Sequence, residues 1–462
     1  MQADSRKIIS ENIVADRSKL KIICVFLHRI YFGRIPYERQ YRGKKRKAMN
    51  ITELQQSYAS HPNVEGVCRL LKDNSVRHLY CGGLYASAAS LFSSVLVQRA
   101  TCPLVFILGD MEEAGYFYHD LTQILGTEQV LFFPSSFRRA IKYGQKDAAN
   151  EILRTEVLSR LQKGEEGLCV VTYPDALAEK VVSRKELGEN TLKLHAGERV
   201  DMNFVTDVLR SYGFEYVDYV YEPGQYAVRG SIIDVFSFSS EYPFRIDFFG
   251  DEVESVRTFE VETQLSKEKK ESIVIVPDLS HSLEKKGSGG MVSFLDFLPS
   301  DSLLAMRDFL WLRERIQTVH DESLTPQAIA ARESEENGAI TLEGKLIDGG
   351  EFTLRALDFR RMEFGNKPTG TPDATVSFHT TVQPIFHKNF DMVAESFREY
   401  LSRHYTIYIC SDSLKQTDRI RAIFEDRGDN ISFTAVERTL HEGFADDTLR
   451  ICVFTDHQLF DR

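Results

Sequence analysis

With 462 residues, the chain is too long for one hydrophobic core and suits three or four domains. Its composition, 42% hydrophobic and 27% charged, is typical of a globular protein, and no run approaches the roughly 18 apolar residues of a membrane span. The seven cysteines form no CxxC pair, which favours reduced core thiols over a disulfide frame or a zinc site. We therefore expect a soluble, cytoplasmic protein.

Charge separates the first 48 residues from the rest. They hold 13 Lys and Arg against 4 Asp and Glu, a net charge of +9, whereas the whole chain carries −11, which leaves −20 for the other 414 residues. Such a body is not a broad nucleic-acid-coating surface. Residues 1–48 are expected to be a disordered basic leader, and "RGKKRK" within it is the one run suited to phosphate contacts.

Three strand-turn-helix units follow Met49 and predict a parallel sheet flanked by helices. The first is "VRHLYC", a Gly82-Gly83 turn and the helical "LYASAASLFSSVLVQ". The second is "LVFIL" and a helix capped by Asp110, with Glu113 three residues later. The third, "LCVVTYPDALAEKV", has Thr172 as the expected cap and a proline in the first helical turn.

The first of these turns stands where a phosphate-binding loop would lie. Such a loop needs Gly-x4-Gly-Lys-Ser/Thr, because backbone amides cradle the phosphates and the lysine neutralises them. The stretch "YCGGLYASA" has no lysine after Gly83, and the pattern occurs nowhere in the chain. A helix N-terminus attracts anions weakly by itself, so we expect a degenerate nucleotide site with a structural turn.

From about Thr191 the apolar period changes from that of helices to that of short strands. "YAVRG", "SIIDVF", "FRIDFF" and "VESVRTF" predict a small α+β domain rich in antiparallel pairs. Since strand side chains alternate between faces, Phe244, Ile246 and Phe248 are expected to point inward. Arg245, Asp247 and Phe249 then share the outer face.

The C-terminal part returns to α/β order, with the strand "YTIYIC", Ser411 as a helix cap, the helix "LKQTDRIRAIFEDR" and the strand "RICVF". The predicted fold is therefore multidomain α/β: a parallel α/β domain with an inserted small α+β domain, then a second α/β domain. The expected divisions are residues 1–48, 49–190, 191–275, 276–378 and 379–462. The chain ends at Arg462 just after "TDHQLFDR", where we expect a longer protein to continue.

No catalytic or metal-binding residue is predicted. The acids of "GDEVE" suit an exposed hairpin turn better than a metal cleft, and the histidines lack the HxxxH or HExxH spacing of a zinc site. No nucleophile motif of the G-x-S-x-G kind occurs either.

Two interpretations of the outer pair Arg245 and Phe249 stay open on periodicity alone. Arg245 can belong to a satisfied cross-strand pair, with Phe249 packed under a loop or another domain. Alternatively the face is a protein interface, because Arg and aromatic side chains dominate binding hot spots.

The run "EPGQYAVRGSIIDVFSFSSEYPFRIDFFGDEVESVRTFEVETQLS" closely resembles the N-terminal region of the bacterial transcription-repair coupling factors, the Mfd family, and more distantly the excision-repair protein UvrB. The resemblance extends from about Ile51 to the end and includes "ATVSFHTTVQPIFHKNFDMV". It implies two parts of a UvrB-like domain at 49–190 and 276–378, with a degenerate nucleotide site. The small domain at 191–275 is implied to dock UvrA, and 379–462 is implied to be a third domain.

The resemblance also assigns partners and contact residues. Carried over position by position, the implied UvrA contacts are Arg229, Arg245 and Phe249. RNA polymerase and DNA are implied partners of regions beyond Arg462, together with ATP and magnesium in a motor. No cofactor is implied for this chain, which is expected to recruit UvrA and catalyse nothing.

Two other functions compete with recruitment. One is a UvrB-like, nucleotide-dependent helicase domain acting directly on damaged DNA, which an ATPase assay would detect. The other is nucleic-acid binding through the basic leader, which deletion of residues 1–48 would abolish.

Overall fold

The computed structural model describes residues 48–136, 148–277, 290–323, 325 and 344–460. The predicted basic leader, residues 1–48, lies outside these ranges except for its last residue. Within them, no helix combines the length and the apolar character that crossing a membrane requires.

The described residues form short strands and helices that alternate along much of the chain. The strands are Met49–Asn50 (β1), His78–Gly82 (β2), Leu104–Ile107 (β3), Val130–Phe133 (β4), Cys169–Thr172 (β5), Val181–Val182 (β6), Leu192–His195 (β7), Glu215–Tyr216 (β8), Gln225–Arg229 (β9), Ile232–Val235 (β10), Phe244–Phe249 (β11), Glu252–Phe259 (β12), Ser266–Lys270 (β13), Ser272–Ile275 (β14), Met291–Val292 (β15), Leu303–Met306 (β16), Arg360–Gly365 (β17), Ala374–Ser377 (β18), Thr380–Val382 (β19), Thr406–Ser411 (β20), Thr434–Glu437 (β21), Phe444–Asp446 (β22) and Ile451–Thr455 (β23). The helices are Ile51–Ala59 (α1), Pro62–Leu70 (α2), Ser87–Arg99 (α3), Met111–Leu125 (α4), Ala148–Lys163 (α5), Pro174–Leu177 (α6), Arg184–Glu189 (α7), Met202–Ser211 (α8), Phe294–Phe297 (α9), Phe309–Ser323 (α10), Gly349–Ala356 (α11), Phe390–Ser402 (α12), Leu414–Asp426 (α13) and Asp456–Phe460 (α14).

A parallel sheet forms the largest layer. Its neighbours in order are β18, β2, β17, β16, β3, β5 and β4, and every pair is parallel. Strands β3, β4, β5 and β16 are buried at every position, as continuous apolar runs covered on both faces should be. The predicted multidomain α/β class is confirmed.

Strands from two distant parts of the chain share this sheet. Residues 78–172 supply β2 to β5, and residues 303–377 supply β16 to β18. Between them the chain forms an antiparallel sheet and then returns, so the parallel sheet is completed only after residue 300.

The antiparallel sheet has the order β13, β12, β11, β10, β9, β8, with only the β8–β9 pair parallel. Helix α8 covers one face and inserts Val205 and Leu209 into its core. Phe244, Ile246 and Phe248 of β11 are buried in the same core, which confirms the predicted inward set. Their polar neighbours therefore point to the other face.

A third, mixed sheet has the order β1, β21, β20, β23, β22, β19. The two-residue strand β1 pairs with β21, so Met49 lies beside Val436. Cys410 and Phe444 of this sheet are buried in the same core as the parallel sheet. The predicted division at residues 378 and 379 stays a prediction, but the two α/β parts share buried side chains.

The helix caps were predicted with mixed success. Asp110 caps α4 through a 2.9 Å hydrogen bond from the Glu113 amide, as predicted. Thr172 is wrong as the cap of α6, because Thr172 ends β5 and Tyr173 occupies the cap position. Ser411 is likewise wrong for α13: it closes β20, and its hydroxyl binds Asp456 while Ser413 precedes the helix.

Candidate functional site

The face of the antiparallel sheet opposite α8 is the candidate site; we call it the outer face, defined by Arg229, Asp234, Arg245, Asp247 and Phe249. Cross-strand register places Asp234 of β10 directly opposite Arg245 of β11. On the other side of β10, strand β9 places Arg229 opposite Ile232, two residues before Asp234. Three strands thus bring two cations and one acid together.

Phe249 is the most exposed large apolar side chain of this face, with 78% of its surface accessible. It ends β11, and Gly250, at a φ of +63°, turns the chain into β12. The alternative in which Phe249 packs under a loop or another domain is wrong for the part of the chain that the structure describes. A ring this exposed is a candidate contact for another protein.

Arg245 is held within the chain. Its Nε donates to Oδ1 of Asp234 at 2.7 Å and its Nη2 to Oδ2 at 2.9 Å. Nη1 donates to the Gln264 carbonyl at 3.1 Å, and the guanidinium lies 4.4 Å from the centre of the Phe259 ring. The hydrogen bond to Asp234 raises the pKa of Arg245 above its ordinary value, although burial opposes the shift. Only 14% of this side chain is exposed.

Arg229 is more accessible, with 35% of its side chain exposed. Its Nη2 donates to Oδ2 of the same Asp234. Its guanidinium also lies 4.9 Å from the centre of the Tyr219 ring, a cation–π arrangement. Asp234 is only 1% exposed, so both guanidinium groups compensate one buried carboxylate.

The three predicted contact residues are therefore on one face but in different states. Phe249 is free to solvent, Arg229 is half-buried, and Arg245 is paired with the protein's own carboxylate. Arg245 shares the outer face with Phe249, as alternation predicts, and it forms the satisfied cross-strand pair that one of the two interpretations expected.

Sequence reasoning missed Asp234 and Tyr219. An acid inside the apolar run "SIIDVF" is a signal for Asp234, because a buried carboxylate needs a cationic partner. The tyrosine-rich "YVDYVYEP" is a comparable signal for Tyr219, which is exposed together with Tyr216 and Tyr221. Their contacts with Arg229 and Arg245 depend on how distant segments pair and pack, which the local sequence does not encode.

The turn after β2 is where the sequence predicts a degenerate nucleotide site. Gly83 has a φ of +77°, and a side chain there would overlap the carbonyl oxygen of Phe378. The amide of Ser87 at the start of α3 donates to the Glu442 carbonyl at 3.3 Å, and the Ser87 hydroxyl accepts from the Glu442 amide at 3.0 Å. The amide of Ser87 is therefore already hydrogen-bonded within the chain.

The surroundings of this turn are acidic. Asp120 accepts from the Ser90 hydroxyl at 2.9 Å and from the His441 amide at 2.7 Å. The His441 ring stacks on Tyr116 with 3.5 Å between centroids, and burial lowers the pKa of His441. The small cavity beside it is also lined by carboxylates, Asp110, Glu112, Glu113 and Glu442, with Arg307 as a cation. Such a lining repels phosphate groups.

The antiparallel sheet and its outer face belong to a segment that matches a known domain family. Residues 192–281 match the family described as the UvrB interaction domain, and this segment contains the whole outer face.

The wider chain is similar to proteins named transcription-repair-coupling factor. The protein of that name from Bacillus subtilis (strain 168) is 21% identical over 82% of this chain and 38% of its own length. The one from Escherichia coli (strain K12) is 29% identical over 42% of this chain and 17% of its own length. A relative from Staphylococcus aureus (strain bovine RF122 / ET3-1) is 22% identical over 82% of this chain. The resemblance predicted from the sequence is confirmed, and the chain spans less than two-fifths of the length of these relatives.

Proposed function

We propose that this chain is a recruitment module of a transcription-repair coupling factor. Its outer face docks UvrA, which brings nucleotide excision repair to RNA polymerase stalled at a DNA lesion, in the cytoplasm. RNA polymerase and DNA are proposed partners of the whole protein, and ATP with magnesium is proposed for the whole protein's motor. The chain itself is proposed to catalyse nothing and to take no cofactor.

The observation that carries this proposal is the exposure of Phe249 on the sheet face that also carries Arg229 and Arg245. Apolar rings next to arginine are typical of protein-binding hot spots, because the ring loses water on docking while the guanidinium orients the partner. The face belongs to the segment that matches the UvrB interaction domain family, which supports a repair protein as the partner.

Binding of the chain to purified UvrA, measured by titration calorimetry, tests the proposal. Phe249→Ala is expected to weaken affinity about thirtyfold, the effect of a hot-spot ring worth about 2 kcal/mol. The matched control is Phe204→Ala, which removes another exposed ring, on α8 at the opposite side of the sheet. Its affinity should equal that of the unchanged chain.

Two results would reject docking through this face. One is no binding by the unchanged chain, and the other is equal loss in both alanine variants. Each variant is checked by its melting temperature, which Phe249→Ala should leave unchanged because the ring contacts so little of the chain.

The competing function, a nucleotide-dependent helicase domain, is less well supported. The amide that would bind a phosphate is already paired with the Glu442 carbonyl, and the surrounding carboxylates disfavour a triphosphate. ATP turnover above background by the purified chain would restore this alternative.

A further inference from the structure

The cavity between α3, α4 and the loop before β22 has a lining that favours a positive charge. Its volume is about 290 Å³, and its charged lining consists of five carboxylates and one guanidinium, those of Asp110, Glu112, Glu113, Asp120, Glu442 and Arg307. The exposed Tyr116 ring stacks on His441 and forms an aromatic wall. Carboxylates beside an aromatic face attract ammonium and guanidinium groups.

Two of these carboxylates are available to a ligand. Asp110, Asp120 and Glu113 already accept hydrogen bonds from backbone amides of their own chain. Glu112 is exposed and, among the described residues, accepts only from one tyrosine hydroxyl, at 3.2 Å. The Glu442 side chain is half-buried and forms no hydrogen bond or ion pair within the ranges that the structure describes. A cation that enters the cavity can therefore bind either acid without breaking a contact that stabilises the fold.

The chain itself contains a segment of the opposite charge. Residues 1–48 carry a net charge of +9, whereas the other 414 residues carry −20. The run "RGKKRK", residues 42–47, supplies five of the cations within six positions. It lies outside the described ranges and ends one residue before the first described residue, Ala48. Its charge complements the lining of the cavity.

The attachment point of this run lies within reach of the cavity. Met49 of β1 lies beside Val436 of β21, and Glu442 comes two residues before β22. β1 and β22 are the first and fifth strands of the mixed sheet, so four spacings of about 4.8 Å, about 19 Å in all, separate them. Lys44 precedes Met49 by five residues, which span about 17 Å when extended, and its long side chain reaches further.

We propose that the basic run 42–47 binds in this cavity of its own chain, with its ammonium and guanidinium groups against Glu112, Glu442 and the Tyr116 ring. Each exposed ion pair is weak alone, so the contact depends on several cations acting together and on the salt concentration. Cations bound in the cavity cannot contact nucleic-acid phosphates at the same time. The inference is independent of UvrA docking, because the outer face belongs to the antiparallel sheet.

Carbodiimide cross-linking of the whole chain, followed by mass spectrometry, tests the contact, because this reagent joins a lysine amine to a carboxylate at ion-pair distance. Cross-links from the lysines of 42–47 to Glu112 or Glu442 should be about tenfold more abundant than those to Glu395. Glu395, an exposed acid of α12, is the matched control. Raising the salt concentration to about 0.5 M should abolish this preference, because it shortens the screening length to a few ångströms.

A second measurement follows the rate at which trypsin cleaves the chain within residues 42–47. The double variant Glu112→Gln with Glu442→Gln should be cleaved about fivefold faster than the unchanged chain at low salt, because the cavity no longer holds the run. Glu395→Gln should leave the rate unchanged. The melting temperature of the double variant should also be unchanged, since the backbone hydrogen bonds between Glu442 and Ser87 are retained.

Three results would overturn the inference. Cross-links spread evenly over exposed acids, Glu395 included, would show only general attraction between the leader and an acidic body. Equal cleavage rates for the double variant and the unchanged chain would show that the cavity does not hold the run. Cross-links that join isotopically labelled and unlabelled copies would make a second molecule the source of the cations. None of these outcomes bears on UvrA binding, so recruitment stands or fails separately.

Discussion

Ser87 and Glu442 exchange two hydrogen bonds across 355 positions of sequence: each backbone amide donates to the other residue, to a carbonyl in one case and to a hydroxyl in the other. This reciprocal pair joins the first turn of α3, on the parallel sheet, to the loop before β22 of the mixed sheet. It satisfies an amide at the helix N-terminus that otherwise needs water or an anion. The same contact therefore links the two α/β parts and leaves the Ser87 amide paired within the chain.

The first prediction concerns nucleotides. Because the Ser87 amide is already paired and carboxylates surround it, the chain should show no saturable binding of a fluorescent ATP analogue at millimolar concentration. Ser87→Ala should also lower the free energy of unfolding by about 1 kcal/mol, since the Glu442 amide loses its acceptor. Stoichiometric nucleotide binding by the unchanged chain would contradict the prediction that the turn after β2 binds no phosphate.

The second prediction concerns a buried polar contact between α1 and the mixed sheet. The Tyr58 hydroxyl donates to Asp446 Oδ2 at 2.9 Å, and Nε2 of His61 lies 3.5 Å from the same oxygen, with all three side chains fully buried. Asp446→Ala should cost about 3 kcal/mol of unfolding free energy, because it leaves the Tyr58 hydroxyl and two backbone amides without their acceptor. Tyr58→Phe, which removes one donor only, is the milder control, and equal losses in both would count against a central role for Asp446.

The third prediction gives this contact a pH dependence at both extremes. Burial alone raises the pKa of Asp446, but the His61 ring, the Leu449 amide and the Tyr58 hydroxyl outweigh it and hold the pKa below its ordinary value of 3.8. Its contribution to stability is thus present above pH 3.8 and is lost as pH falls through the lowered pKa. Burial and then the Asp446 charge raise the pKa of Tyr58 well above 10.0, so that contribution is present below pH 10 and is lost as pH rises further.

Denaturant unfolding at several pH values measures both limbs. The Tyr58→Phe variant should lose the alkaline part of the dependence and keep most of the acid part. An alkaline limb identical in the variant and the unchanged chain would show that another group causes it.

The fourth prediction uses the cysteines as probes of folding. Burial raises the pKa of Cys81, Cys169, Cys410 and Cys452, which keeps these thiols protonated and unreactive. Mass spectrometry after iodoacetamide treatment should find the four unmodified in the native protein and modified in denaturant. Cys68, which is half-buried, is the internal comparison and should react before these four; rapid native labelling of Cys169 would disprove the burial described for β5.

The fifth prediction tests the turn after β2. Gly83→Ala should destabilise the protein by about 2 kcal/mol or more, since alanine meets a positive φ and the Phe378 carbonyl at once. Gly126→Ala is the matched control, because Gly126 also has a positive φ, +85°, but nothing lies within 4 Å of an added Cβ. The difference between the two variants in chemical denaturation isolates the steric part, and equal losses would mean that strain alone accounts for the effect.

The sequence alone predicted those features that depend only on neighbouring residues, such as strand alternation and a helix cap. The period of two in "FRIDFF" predicts which side chains of β11 are buried, and Asp110 with Glu113 predicts the start of α4. The missing lysine after Gly83 predicts a turn without a phosphate function, and the nucleotide-binding measurement described above tests that prediction. Caps at Thr172 and Ser411 were misplaced by one and two residues, because the strands extend through both positions and the caps are Tyr173 and Ser413.

Tertiary structure decided how the predicted residues are used. Alternation places Arg245 on the outer face, but only the register of β10 against β11 puts Asp234 opposite it and ties the guanidinium down. The exposure of Phe249 and the filling of the α3 terminus by Glu442 depend equally on segments distant in sequence. Side-chain direction follows from the backbone period of each strand, whereas a side chain's partners follow from which strands and loops pack together, and that is set by the whole chain.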